Sequence, residues 1–226
     1  MSEENKTPAA EETKAATGAV SLDGLYAFKV GMSAIFEEGE RIPVTVLRYE
    51  PMVVSQVKTA DKDGYNSVQV AFKADRASQT NKATKTALEK VGFENGAKFR
   101  RELRSDKAAT AAVGQKVSLE SLKKGDIVKV TGLSRGRGFQ GAVRRWNFNG
   151  GPASHGSGFH RKPGSVGNRT WPGRVMPGKR MAGQWGNETV SVRNIKIVDI
   201  IAEENVLLVR GPVPGSRNSL VRLTKV

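Results

Sequence analysis

The 226-residue chain has no cysteine and only two histidines. The first absence excludes disulfides, thiolate zinc sites, iron–sulfur clusters and cysteine nucleophiles together. The second leaves too few imidazoles for a histidine-rich metal centre. Aromatic residues make up 6% of the chain and hydrophobic residues 38%, both lean for a compact enzyme of this length. No apolar run approaches the ~18 residues of a membrane span. The opening stretch, MSEENKTPAAEETKAATGAV, lacks the basic start and apolar segment of a secretory signal, so the expected setting is the reducing cytoplasm. Acids are scarce as well: 22 Asp+Glu stand against 37 Lys+Arg, a net charge of +15. In that setting such an excess points to a polyanion, most often nucleic acid.

The shortage of acids is concentrated in one place. After Asp126 the next acid is Glu188, and between them lie Lys129, Arg135, Arg137, Arg144, Arg145, Arg161, Lys162, Arg169, Arg174, Lys179 and Arg180. Eleven of the fifteen net charges therefore sit in one block, and the rest of the chain is nearly balanced. A charge run is ordinarily a solvated face. The complete lack of acids over this length, with Arg favoured over Lys, argues instead for a binding surface.

The flanking sequence has a different texture. Residues 1–22 are polar, without apolar periodicity, and read as a flexible tail. Residues 25–30, 33–36, 44–49, 53–58 and 67–72 are short β-branched or alternating runs separated by turn residues such as Asp61-Lys62-Asp63-Gly64. Residues 84–91 place Ala87, Leu88 and Val91 at helical spacing, and 98–103 suits another helical turn, so 76–120 is expected to be a small, mostly helical insertion. Strand character returns at 126–131, 190–198, 206–209 and 220–225. The expected organisation is thus a β core from 23–75, 121–133 and 185–226, with the insertion at 76–120 and an irregular excursion at 134–184. That excursion shows neither period 2 nor period 3.6, and loops beyond ~12–15 residues inside a domain are usually functional or disordered.

Several strings in the excursion imitate catalytic motifs. Gly136, Gly138 and Gly141 spell G-x-G-x-x-G, but a dinucleotide site needs a following helix and an acid ~20 residues on, and no acid occurs before Glu188. Residues 173–179 (GRVMPGK) spell most of a P-loop, yet Arg180 stands where Ser or Thr should hold magnesium. His155 and His160 lack a nearby carboxylate to orient a Ser–His pair and lack further ligands for a metal. Contact with phosphates and bases suits these residues better. Glycines let backbone approach phosphate, and Trp146, Phe148, Phe159, Trp171 and Trp185, interleaved with the arginines, offer stacking surfaces. For Trp146 and Trp185, near the ends of the excursion, packing on the protein itself is an equal expectation. Trp171, near its midpoint, is the best outward probe. The candidate RNA-binding residues are Arg135, Arg137, Arg144, Arg145, Trp146, His155, His160, Arg161, Lys162, Arg169, Trp171, Arg174, Lys179 and Arg180. No catalytic residue, cofactor, metal, membrane or small-molecule substrate is expected.

Ordering roughly fifty residues costs on the order of 50–100 kcal/mol of backbone entropy. A uniformly charged segment with few aliphatics cannot offset that by burying itself. A partner has to supply counter-charge and contacts, and folded RNA does so better than duplex DNA, which usually calls for a helix or ribbon in a groove. No basic helix is evident. Two alternatives remain: a free-standing RNA chaperone or nucleoid-type binder acting by charge alone, and an enzyme using the glycine-rich strings.

Residues 132–141 (GLSRGRGFQG), 150–157 (GGPASHGS), 163–167 (PGSVG) and 178–184 (GKRMAGQ) occur in this order. With Gly24-Leu25, Lys29-Val30-Gly31-Met32 and 207–215 (LLVRGPVPG), they resemble the large-subunit ribosomal protein L-three family in its bacterial form. The resemblance covers residues 23–226. It implies a six-stranded β-barrel of the translation-protein type with an insertion and a long extension, and no enzymatic activity. It further implies early binding to large-subunit ribosomal RNA beside neighbouring ribosomal proteins. The extension would reach toward the peptidyl-transferase centre with Asn168-Arg169-Thr170-Trp171-Pro172 at its tip. Many bacterial members carry a methylated Gln where this chain has Thr170.

Overall fold

The computed structural model describes residues 20–104 and 111–226. The chain is mainly β. Its strands are β1 (Gly24–Glu37), β2 (Glu40–Tyr49), β3 (Met52–Lys58), β4 (Ser67–Ala74), β5 (Ala97–Arg104), β6 (Lys116–Val117), β7 (Ile127–Leu133), β8 (Gly138–Gln140), β9 (Gly183–Trp185), β10 (Thr189–Ile201), β11 (Val206–Arg210) and β12 (Leu220–Lys225). Three short helices interrupt them: α1 (Ala60–Asp63), α2 (Lys82–Glu89) and α3 (Ala142–Trp146).

Six strands pair in a ring, in the order β1-β12-β7-β10-β11-β2, so this sheet closes on itself. Every pairing in it is antiparallel. Alternation fills the interior: β12 buries Val221 and Leu223, β7 buries Val128 and Val130, and β11 buries Leu207 and Val209. β1 departs from alternation, because Leu25, Tyr26, Ala27 and Phe28 are all buried. A second sheet, ordered β5-β4-β3-β6, covers its outer face. There Tyr26 stacks on Phe72 (5.8 Å between ring centroids), Phe72 on Phe99 (5.4 Å), and Phe28 lies 5.5 Å from Phe99. Two tyrosine hydroxyls add hydrogen bonds across the same junction: Tyr26 donates to the Glu102 carbonyl at 3.0 Å and Tyr49 to the Val117 carbonyl at 2.5 Å. Burial raises both phenols above their ordinary pKa, which keeps them as donors.

Three expectations are corrected here. Residues 76–120 are not mostly helical. Apart from α2 and two single 3-10 turns, the described part contains β5 and β6. Residues 98–103, expected as a helical turn, are strand, because Phe99 finds Phe72 and Leu103 is buried opposite Val68. Tertiary contacts override weak local preference. Likewise β3 and β4, expected in the core barrel, belong to the second sheet with β5 and β6. Of the expected tail, residues 1–19 lie outside the described residues. Val20 is part of the fold, bridging in parallel to Val117, with its amide donating to the Lys116 carbonyl at 2.9 Å.

A polar cluster links β3 and β5 on the second sheet. Lys58 Nζ lies 2.7 Å from Glu102 Oε1, and the Tyr65 hydroxyl reaches Glu102 Oε2 at 2.9 Å. The lysine's hydrogen bond is the main cause holding the Glu102 carboxyl below its ordinary pKa, and the same contact raises Lys58. On the barrel, Lys29 Nζ donates to the Val213 and Gly215 carbonyls at 2.6 and 3.2 Å, pinning the segment before β12. Burial lowers its pKa.

Phe72 joins the two sheets, so Phe72→Ala is expected to cost about 3–5 kcal/mol. Urea unfolding monitored by far-UV circular dichroism checks this, and a loss below about 1 kcal/mol contradicts the junction as described.

Candidate nucleic-acid interface

The basic excursion leaves the barrel as a continuation of β7 and β10. Beyond the last barrel pair, Leu133 with Thr189, the Ser134 amide donates to the Glu188 carbonyl at 2.8 Å and the Arg137 amide to the Trp185 carbonyl at 2.9 Å. β8 and β9 then form a two-stranded ribbon, Gly138 opposite Trp185 and Gln140 opposite Gly183. Gly186 makes this exit possible. It has φ of +72°, and a Cβ there would collide with the Arg135 carbonyl.

After the ribbon, α3 carries Arg144 and Arg145 in its last turn and ends at Asn147, which adopts φ of +59°. The sequence suggested no basic helix, and five residues are too few to show a 3.6-residue period. This helix is the clamp of the arm. Arg145 Nη1 and Trp146 Nε1 both donate to the Met181 carbonyl, at 2.9 and 2.8 Å. The guanidinium carbons of Arg145 and Arg180 lie 4.9 and 5.5 Å from the Trp146 ring centroid. A Cβ at Gly183 would fall 2.5 Å from Arg145 Nη1, so a larger residue there would displace the guanidinium from the clamp. Arg137 similarly sits 4.3 Å from the Trp185 ring centroid. Trp146 and Trp185 thus have structural work at the base of the arm, the second of the two expectations held for them.

Outward from the clamp the chain is held only locally. The Gly151 amide donates to the His160 carbonyl at 2.7 Å, closing a loop that places His155 and His160, both exposed, in left-handed conformations. An open concavity of about 470 Å³ lies between this loop and the clamp, with Trp146, Phe148, Asn149, Phe159, Lys162 and Arg180 in its wall. From Pro163 to Val175, the one hydrogen bond recorded among the described residues runs from Ser165 Oγ to the Gly167 carbonyl. No residue from Val143 to Asn194 is buried. Trp171 is 84% exposed and precedes a cis peptide bond to Pro172.

All the proposed contact residues except Arg145 are solvent-exposed. The structure brings Arg145, Trp146 and Arg180 together, with Lys162 nearby. It leaves Arg144, His155, Arg161, Arg169, Trp171 and Arg174 spread along the arm. Among the described residues none of the eleven cations of the acid-free block forms an ion pair; those present involve Arg48, Lys58, Lys73, Lys124 and Lys225. Phe139, 75% exposed on β8, is a further exposed aromatic ring of the arm outside the expected contact residues, its place in the sequence being masked by the glycines around it. The P-loop-like string forms a turn in which the Lys179 amide donates to the Met176 carbonyl at 3.3 Å, with neither a strand before it nor a helix after it. No group of three or more His, Asp or Glu among the described residues is placed to hold a metal ion.

The fold and site together define a class: a mainly β protein whose closed sheet presents a long, unburied, acid-free arm. Comparison with known proteins gives the family. The family model described as Ribosomal protein L3 matches residues 103–205. A protein of Bdellovibrio bacteriovorus named large ribosomal subunit protein uL3 is 60% identical over 210 residues, covering 92% of this chain and 96% of that one. Proteins of the same name from Desulfotalea psychrophila and Thermotoga maritima are 47% and 46% identical, over 88% and 85% of this chain and 96% and 92% of theirs. The chain belongs to the uL3 family of ribosomal proteins.

Because Trp171 touches so little of the protein, Trp171→Ala is expected to change stability by no more than about 0.5 kcal/mol. A thermal melt checks it, and a drop of many degrees would place the indole in a packed environment.

Proposed function

We propose that this protein is a structural, non-enzymatic constituent of the large ribosomal subunit, and that residues 134–184 bind large-subunit ribosomal RNA. The carrying observation is the arm itself: eleven cations without one acid between Asp126 and Glu188, unpaired among the described residues. Nothing from Val143 to Asn194 is buried, and a rigid barrel anchors the base. An arm of this kind is unsuited to packing against its own protein and well suited to threading between phosphates. Phosphate contacts fix position, and exposed aromatics supply stacking.

In this reading the barrel, of the translation-protein type, is the fixed platform. Arg135, Arg137, Arg144, Arg161, Lys162, Arg169, Arg174, Lys179 and Arg180 face phosphates, His155 and His160 hydrogen-bond or stack, and Trp171 is the outermost probe. Arg145 and Trp146 hold the arm's direction while keeping one side toward RNA. Binding occurs early in assembly, beside neighbouring ribosomal proteins, and carries residues 168–172 toward the peptidyl-transferase centre. The protein resides in the cytoplasm, on the ribosome. A chaperone acting by charge alone would not need the clamp on Met181, which sets a defined exit for the arm.

The triple variant Arg144→Ala, Arg169→Ala, Arg174→Ala removes three exposed cations without touching the clamp. It is expected to weaken binding to large-subunit ribosomal RNA and to reduce the slope of log K against log salt by about 2–3, since each phosphate contact contributes roughly 0.7–0.9. Filter binding across a potassium chloride series measures the slope, and an unchanged slope contradicts the contact assignment.

A further inference from the structure

The concavity between the clamp and the loop that holds His155 and His160 has fixed walls. On one side α3 is tied to the Met181 carbonyl through Arg145 and Trp146. On the other, the Gly151 amide donates to the His160 carbonyl at 2.7 Å and the Lys162 amide to the Phe159 carbonyl at 3.0 Å. The Phe159 ring rests on bare backbone, since a Cβ at Gly151 would fall 2.5 Å from its Cδ1. Pinned in this way, Phe159 is still 41% exposed. Phe148, half-buried, stands in the same wall with Asn147 and Asn149. Neither asparagine side chain has a hydrogen-bond partner among the described residues. Lys162 and Arg180 complete the wall, and neither is ion-paired among the described residues.

Three kinds of group thus converge on about 470 Å³, a volume within the roughly 300–1,000 Å³ of ordinary ligand sites. They are aromatic rings, amides with unmade hydrogen bonds, and cations without a counter-charge. A nucleotide carries the counterpart of each: a π face, an edge of donors and acceptors, and a phosphate. Asparagine amides both donate and accept, so they can meet such an edge. Other occupants match fewer of the three. A lysine or arginine from a neighbouring protein would meet Lys162 and Arg180 as like charge. A carboxylate side chain would match the cations but bring no ring. An aliphatic side chain would cover both amides and leave them unpaired, at a desolvation cost. A base inside a duplex already has its edge and both faces occupied. We propose that this concavity holds one unpaired nucleotide of the large-subunit RNA. Its base lies against Phe148 and Phe159, its edge on the Asn147 and Asn149 amides, and its phosphate on Lys162 and Arg180. The inference rests on the functional reading above and names the ligand of one site within it.

The test places a photoreactive benzoylphenylalanine at position 149 of the full chain, in cells whose large subunits are then purified and irradiated. The expected product is an adduct with a single unpaired nucleotide, located by the stop it causes in primer extension. In subunits with the unaltered chain, the pairing edge of that base is expected to be protected from dimethyl sulfate, kethoxal or carbodiimide, whichever suits the base. Phe159→Ala is expected to raise its reactivity about tenfold, because stacking on an aromatic ring holds a base by an amount of that order. The pair Asn147→Gly, Asn149→Ala keeps the left-handed turn after α3 and is expected to raise it as well, with the ring untouched. Trp171→Ala, outside the wall, is expected to leave it unchanged. An adduct with a protein, with a free nucleotide or with paired bases overturns the proposal, as does the absence of any adduct. So does a reactivity indifferent to both wall variants, or raised equally by Trp171→Ala. Absence of the protein from the large subunits overturns the functional reading itself, a failure distinct from a misplaced adduct on subunits that contain it.

Discussion

Uncompensated positive charge is the constraint on which the structure of this protein turns. Between Asp126 and Glu188 no carboxylate is available to neutralise a guanidinium, and among the described residues none reaches in from elsewhere in the fold. A chain under that repulsion cannot condense, and no residue from Val143 to Asn194 is buried. What the protein can do is aim it. The Met181 carbonyl accepts hydrogen bonds from both Arg145 and Trp146, and two guanidinium groups flank the same indole, so both limbs of the arm are tied at one point. Beyond that point counter-charge has to come from outside.

The base of the arm is firm because the barrel beneath it is. β7 and β10 are barrel staves, and their pairing runs outward through Ser134 and Glu188 into the ribbon of β8 and β9. The barrel in turn is braced on one side by the second sheet through Tyr26, Phe28, Phe72 and Phe99. This chain of contacts runs from an aromatic junction to a closed sheet and on to an oriented cationic arm. It separates the part of the protein that folds by burial from the part that buries nothing.

Much of this was legible in the sequence. β2, β3, β4, β7, β10, β11 and β12 stand out as β-branched or alternating runs, and β12 begins and ends at the residues expected. The cations of the arm are visible as composition alone. Less legible were features that depend on distant partners. Phe99 and Leu103 lie four apart, a spacing that suits a helix face and a strand face equally, and only Phe72 and Val68 decide between them. β3 and β4 alternate as barrel strands would, so sheet membership could not be read from either. The tie from Trp146 to Met181 spans 35 residues and uses a backbone carbonyl, which leaves no mark in the sequence. Periodicity carries the character of the fold and charge the surface chemistry, whereas the clamp between them rests on contacts between residues far apart in the chain.

Amide hydrogen exchange across residues 150–178, compared between the free protein and intact large subunits, tests the central claim most directly. Little protection is expected there in the free protein beside a strongly protected barrel, and strong protection of the same amides within the subunit. Equal protection in both states would contradict it, since the arm would then be ordered by its own contacts.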